Sequence, residues 1–223
     1  NPGAWQLHGV FHKKLRKQWK SHEDGGVRQQ RDREAAEEVA RHAAQSGDRY
    51  MELIAEGLRY MSKQDWRKAG KAYREAIALK PDVPDAYFNL GDTLGSSGHH
   101  AEAAQRYLEV RERSPVGSEL WARATAEAFN VLKLETCAEV AKPEWWNDEE
   151  LKALSARVMR AAPDDAAAHQ MRALVLLGLS CPWEVGSRSV AELMEAATHY
   201  ERTAALCDAP AGKAHFARMA MLS

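Results

Sequence analysis

Little in this chain points to an enzyme, a secreted scaffold or a membrane protein. Three cysteines in 223 residues, Cys137, Cys181 and Cys207, are an odd number set far apart. They make neither a disulfide framework nor a CxxC pair, and they predict a reducing, intracellular setting (cytoplasm or an organelle interior) rather than secretion. No apolar run approaches the roughly 20 residues of a membrane span; the longest, Ala173 to Leu179, is interrupted by Gly178. Charge of one sign is missing too: 31 basic against 32 acidic residues leave −1, with no overall pull toward nucleic acid or membrane. Glycine-rich phosphate loops, HExxH and GxSxG are absent. The paired acids Glu149-Glu150 and Asp164-Asp165 fall at predicted helix starts, where the helix dipole already accounts for them. His99-His100 reads as a solvated turn, and His8 and His12 have no third ligand nearby in sequence. No catalytic residue, metal or cofactor is expected. Alternation with the period of a strand is missing as well, so the fold class is all-α.

What the chain does have is a period. Gly57, Tyr60, Ala69, Tyr73, Ala76 and Pro81 return 34 residues later as Gly91, Leu94, Ala103, Tyr107, Val110 and Pro115. A fixed period in this range marks an array of supersecondary units that bury their apolar faces against neighbours. The small residues let the first helix of a unit approach the second, and the aromatic beside them fills the gap. Pro81 and Pro115 end the second helices, because proline cannot donate the next helical hydrogen bond.

This pattern resembles the tetratricopeptide repeat (TPR), a 34-residue helix–turn–helix. The second copy reads Tyr87-x2-Leu90-Gly91-x2-Leu94, then Ala103-x3-Tyr107 and Pro115. The first copy departs at Glu56, where the pattern wants an apolar residue. The resemblance implies a TPR-type α-solenoid of antiparallel helix pairs, with about four repeats and extra N-terminal helices. Past Pro115 the proline interval stretches to 48 at Pro163 and 47 at Pro210. Two similar insertions account for it, Glu135 to Trp146 and Ser180 to Arg188, each carrying cysteine, proline and tryptophan. They read as long loops inside divergent repeats; a short helix over Thr136 to Ala141 is the alternative. The C-terminal half, with Trp145-Trp146-Asn147-Asp148-Glu149-Glu150, also resembles TPR proteins of unicellular algae.

The predicted organisation is a basic helix and linker over 1–26, a capping helix over 27–47 and an array over 48–223. Its repeats run about 50–83, 84–117, 118–165 and 166–210, with a C-terminal capping helix at 211–222. The stripe Ala35, Ala36, Val39, Ala40 and Ala43 suits close packing on the first repeat. Asp48, Ser118 and Asp164 are candidate caps, Pro84 suits a first turn, and Asn147 with Glu150 and Ser189 with Glu192 have capping-box spacing.

Residues 1–20 hold five bases and no acid, leaving −6 on the rest of a chain whose total is −1. Phe11, Lys13, Lys14, Arg16, Lys17, Trp19 and Lys20 belong to a basic amphipathic helix. It can anchor to the array or a neighbouring subunit, lie on an acidic membrane, contact nucleic-acid phosphates, or be a targeting remnant.

By resemblance, the first helices line a concave groove. Its residues are then Met51, Ile54 and Leu58; Asp85, Phe88 and Asp92; Ala122, Ala126 and Phe129; and Leu174. Such an apolar groove with an acidic edge suits a helical or extended partner segment, or the chain's own N-terminal helix. Of the lysines, asparagines and arginine with which one TPR subclass clamps chaperone tails, only Asn89 and Arg123 match, which argues against that ligand. Trp145, Trp146 and Trp183 form a second candidate patch, or else plug gaps between repeats. The sequence thus predicts a non-catalytic protein–protein interaction module, an adaptor or scaffold subunit of a larger assembly. The alternative is a peripheral membrane- or RNA-associated protein acting through residues 1–20.

Overall fold

A computed structural model of the chain describes residues 33–34, 36–41, 43, 45, 47–178 and 182–206. The basic segment with Phe11, Lys13, Lys14, Arg16, Lys17, Trp19 and Lys20, and the cap expected at 211–222, lie outside the described residues. Every regular element among the described residues is helical. The described residues between 33 and 45 are helical, and Ala36 and Ala43 of the alanine stripe are buried. The chain divides into two compact units, Asn1–Ser97 and Gly98–Ser223, at a point inside the second 34-residue repeat.

The first unit contains α1 (Arg49–Ser62), α2 (Trp66–Leu79) and α3 (Pro84–Ser96). Asp48 starts α1 by accepting the Tyr50 N–H at 2.9 Å, and Asp65 starts α2 by accepting the Lys68 N–H at 3.1 Å. Each satisfies a first-turn donor that has no partner within the helix. Pro84 opens α3, where its missing N–H costs nothing. The helices pack in chain order, α1 on α2 and α2 on α3. The α1–α2 approach depends on Gly57. A Cβ there would stand 2.5 Å from Cζ and 2.9 Å from Cδ1 of Tyr73, which is fully buried. Lys80 closes the pair at its other end with a 2.7 Å ion pair to Asp48.

The second unit contains α4 (His100–Arg113), α5 (Glu119–Leu132), α6 (Asp148–Ala161), α7 (Ala166–Leu177) and α8 (Val190–Leu206). Ser118 accepts the Trp121 N–H at 3.2 Å and Asn147 the Glu150 N–H at 3.0 Å. Before α8, Glu192 N–H donates to Ser189 Oγ at 3.2 Å while Ser189 N–H donates to Glu192 Oε2 at 2.8 Å, a reciprocal capping box. The cap of α7 is Asp165 and not Asp164: α7 begins at Ala166, so only Asp165 is placed to accept the Ala168 N–H, at 3.1 Å. Asp164 pairs with Arg202 instead, at 3.1 Å. Within this unit α4 packs on α5, α5 on α6 and α7, α6 on α7, and α7 on α8. Where a short helix over Thr136 to Ala141 was an alternative, the connection between α5 and α6 holds a single 3-10 turn, Glu135–Cys137.

Candidate partner-binding surface

The two insertions turn inward. Ala122, Ala126 and Phe129 recur on one face of α5 at helical spacing and join Leu151, Leu154 and Val158 of α6 and Ala168, Met171 and Val175 of α7 in one buried core. Trp145, Trp146 and Trp183 pack on that core and are themselves partly buried. Trp146 is the hub. Its ring centroid lies 5.4 Å from Phe129, 5.7 Å from Trp145 and 5.6 Å from Trp183, which it meets edge-on at 82°. Trp183 also meets Phe129, at 5.7 Å. Tilted and edge-on contacts at these separations are the favoured aromatic geometry.

Each loop is pinned by a polar anchor. Lys142 donates to the carbonyls of Leu132 (3.0 Å) and Cys137, capping the C-terminal end of α5, and lies 5.7 Å over the Trp146 ring. The α7–α8 loop is tied to the first residue of α6. Asp148 accepts from Arg188 through both terminal guanidinium nitrogens, from Gly186 N–H at 3.2 Å and from Trp183 Nε1 at 3.4 Å. The Arg188 guanidinium holds the Asp148 carboxyl down at about 2. Arg188 also donates to the Val175 carbonyl at 2.9 Å, reaching α7. Lys152 pairs with Glu192 at 2.7 Å and, with the Ser189 donors, holds that carboxyl at about 2. Gly178, at φ +65°, ends α7 in the left-handed region, and a Cβ there would stand 2.6 Å from Val185 Cγ1.

This arrangement corrects part of the expected groove. Ala122, Ala126 and Phe129 are 0% exposed, because the core and the tryptophans cover them, so they offer no open surface. Leu174 is half-buried between the two cores of the second unit, and Arg123 is engaged with Asp165 at 3.5 Å. In the first unit Ile54, Phe88 and Asn89 are buried, which removes them from an open surface too, whereas Met51, Leu58, Asp85 and Asp92 are half-buried.

Residues 57–98 match a family model described as TPR repeat. Those residues carry a tetratricopeptide repeat. Over 105 residues it is 28% identical to cellulose synthase operon protein C of Pseudomonas fluorescens (strain SBW25), a match covering 45% of this chain and 8% of that protein. The chain therefore spans a small fraction of that relative. TPR units serve in general as protein–protein interaction modules with extended binding surfaces, and the family is typically non-catalytic. Among the described residues no group of three His, Cys, Asp or Glu side chains is placed to hold a metal ion.

Sequence reasoning passed over a further feature of the second unit. Trp121 of α5, 2% exposed, carries two arginines: Arg111 Cζ of α4 lies 5.9 Å from its ring centroid and Arg157 Cζ of α6 lies 5.3 Å. Arg111 also lies 5.5 Å over Trp145. Burial, and the like charge of Arg157, push the Arg111 pKa down, while neighbouring Glu112 opposes them. The recurrence of tryptophan in both insertions was a readable signal for the aromatic cluster; nothing in the spacing of Arg111, Trp121 and Arg157 announces their meeting.

Proposed function

We propose that the chain is a non-catalytic adaptor or scaffold module that binds a segment of a protein partner within a larger assembly. The observation that carries this reading is the TPR match over residues 57–98, joined to the Gly57–Tyr73 helix approach that such a repeat requires. In the first unit the half-buried Met51 and Leu58, with Asp85 and Asp92, supply the apolar and acidic character that suits an amphipathic segment. In the second unit the face of α5 that carries Ala122, Ala126 and Phe129 is filled by the chain's own loops, so the contact there falls on the loop exteriors and the flanks of Trp145.

The experiment is capture of partners on the full chain from native extract, identification by mass spectrometry, and reconstitution with the purified partner. Met51→Glu and Leu58→Glu, at positions that are only half-buried, are expected to weaken the reconstituted complex at least tenfold while leaving the helical circular dichroism unchanged. A partner that binds both variants as tightly as the parent chain would refute use of this face.

A further inference from the structure

Five arginines of the second unit are paired with acids: Arg106 with Glu109, Arg123 with Asp165, Arg172 with Glu195, Arg188 with Asp148 and Arg202 with Asp164. Acids are plentiful there, 17 against 12 bases over residues 98–206. Against that background Arg111 and Arg157 stand on the shared Trp121 ring with no ion pair to any described carboxylate, and Arg111 Nε is buried with no hydrogen-bond acceptor. Glu112 is the acid next to Arg111, but adjacent residues on a helix point about 100° apart, and it is exposed. A half-buried guanidinium stacked on aromatic faces and lacking an acceptor is poised for an oxyanion, which it can grip in a bidentate fork.

We infer that Arg111 and Arg157, gathered about Trp121 and Trp145, form a notch that binds an acidic side chain of a protein segment. This rests on the protein-binding reading above and adds to it a site within the second unit. Two like charges in an acid-rich unit, five of whose other arginines are ion-paired, are complementary to one or two carboxylates. The same acid excess opposes an extended polyanion more than one or two carboxylates, which disfavours nucleic acid as the occupant. The Trp121 and Trp145 rings hold these guanidinium groups by cation–π contact and so lower the ordering cost of binding.

The test uses the full chain, isotope-labelled, with the arginine Nε–H and tryptophan Nε1–H signals followed by NMR at constant ionic strength. The probes are acetyl-Gly-Glu-Glu-Glu-Gly-amide, its lysine counterpart and a short oligouridylate. Expected are saturable shifts of the Arg111 and Trp145 signals with the glutamate peptide alone. Arg157→Gln, at an exposed residue, weakens that binding about tenfold. Arg111→Lys, which keeps the charge and loses the fork, weakens it by a smaller factor. Shifts with the oligouridylate and none with the glutamate peptide would overturn the notch, as would an Arg157→Gln chain that binds the peptide as well as the parent does. A captured natural partner that binds Arg157→Gln undiminished would also overturn it and leave the wider function standing. Glutamate-peptide binding by a chain that retains no protein partner would do the reverse.

Discussion

His169 of α7 and His199 of α8 meet Nδ1 to Nδ1 at 2.8 Å, so a single proton lies between two imidazoles. His169 Nε2 donates to the Pro163 carbonyl at 3.0 Å, which leaves its Nδ1 as the acceptor and makes His199 the donor. Burial lowers the pKa of both rings, and for His199 the neighbouring His169 adds to the effect; Glu195, 3.5 Å from His199 Nε2, and Asp164 and Asp165 near His169 oppose it, with Arg172 and Arg202 reinforcing it.

A folded-state pKa below the ordinary histidine value of about 6.5 means that the unfolded chain binds more protons than the folded one as pH falls past that value. Stability is therefore full above about pH 6.5 and declines below it. Melting temperature followed from about pH 8 to about pH 5 should fall, and His199→Gln should flatten that slope. An unchanged slope in the variant would remove the histidine pair as its cause. The carboxyls of Asp148 and Glu192, held at about 2, contribute stability that is lost only in stronger acid, so the two effects separate on the pH axis.

Gly57→Ala and Gly70→Ala should have opposite signs. Both replace a helical glycine, which by propensity alone would add up to about 1 kcal/mol of stability. At position 57 the new methyl meets the ring of a tyrosine that is fully buried and has no room to withdraw. Overpacking of that kind costs about 1–3 kcal/mol and outweighs the propensity gain. At position 70 the tight neighbour is the Arg74 guanidinium, 3.2 Å away at the end of a flexible chain, and the propensity gain survives. Urea denaturation of the two variants measures both signs.

Asp148→Ala should cost about 3 kcal/mol, because it strands a charge rather than a surface ion pair. The Arg188 side chain is 7% exposed, and its carboxylate partner is what balances it. The Trp183 and Gly186 donors lose their acceptor as well. Amide exchange at Gly186 should quicken in the variant while exchange in α4 stays as it was. A loss of under about 0.5 kcal/mol would show instead that water reaches Arg188 freely.

The helices were legible because local chemistry writes them. Pro84, Asp48, Ser118, Asn147 and the Ser189–Glu192 box mark starts, and the 34-residue spacing of Gly57, Tyr73 and their counterparts fixes which faces meet. Choosing Asp164 over Asp165 as a cap was a one-residue ambiguity that only the first helical turn resolves. The surface was harder to read. Placing the groove by resemblance assumes that the face of each repeat's first helix is vacant, and loops threaded back over Phe129 break that assumption from 17 to 54 residues away in sequence. The Asp148–Arg188 tie, 40 residues apart, has no periodicity to betray it. Pairing of two arginines with one tryptophan across three helices is likewise a tertiary fact.

The tryptophans themselves can be assigned between plug and contact patch by a single comparison. Trp183 lies against Phe129 and Trp146 and donates to Asp148, so as a plug its truncation opens the core between α5 and α6 to water. Trp183→Ala should then destabilise the second unit by about 3–5 kcal/mol, as large-to-small changes in packed aromatic cores do. Trp145 sits at the edge of the cluster, touching Trp146 and carrying Arg111 on its outer side. Trp145→Ala should cost less, about 1–2 kcal/mol, because less of its area is lost from the core. In reconstituted complexes the order reverses: Trp145→Ala weakens partner binding, and Trp183→Phe, which keeps an aromatic ring in the cluster, does not. Equal losses of stability for Trp145→Ala and Trp183→Ala, with partner affinity unchanged in both, would make the whole aromatic cluster a plug.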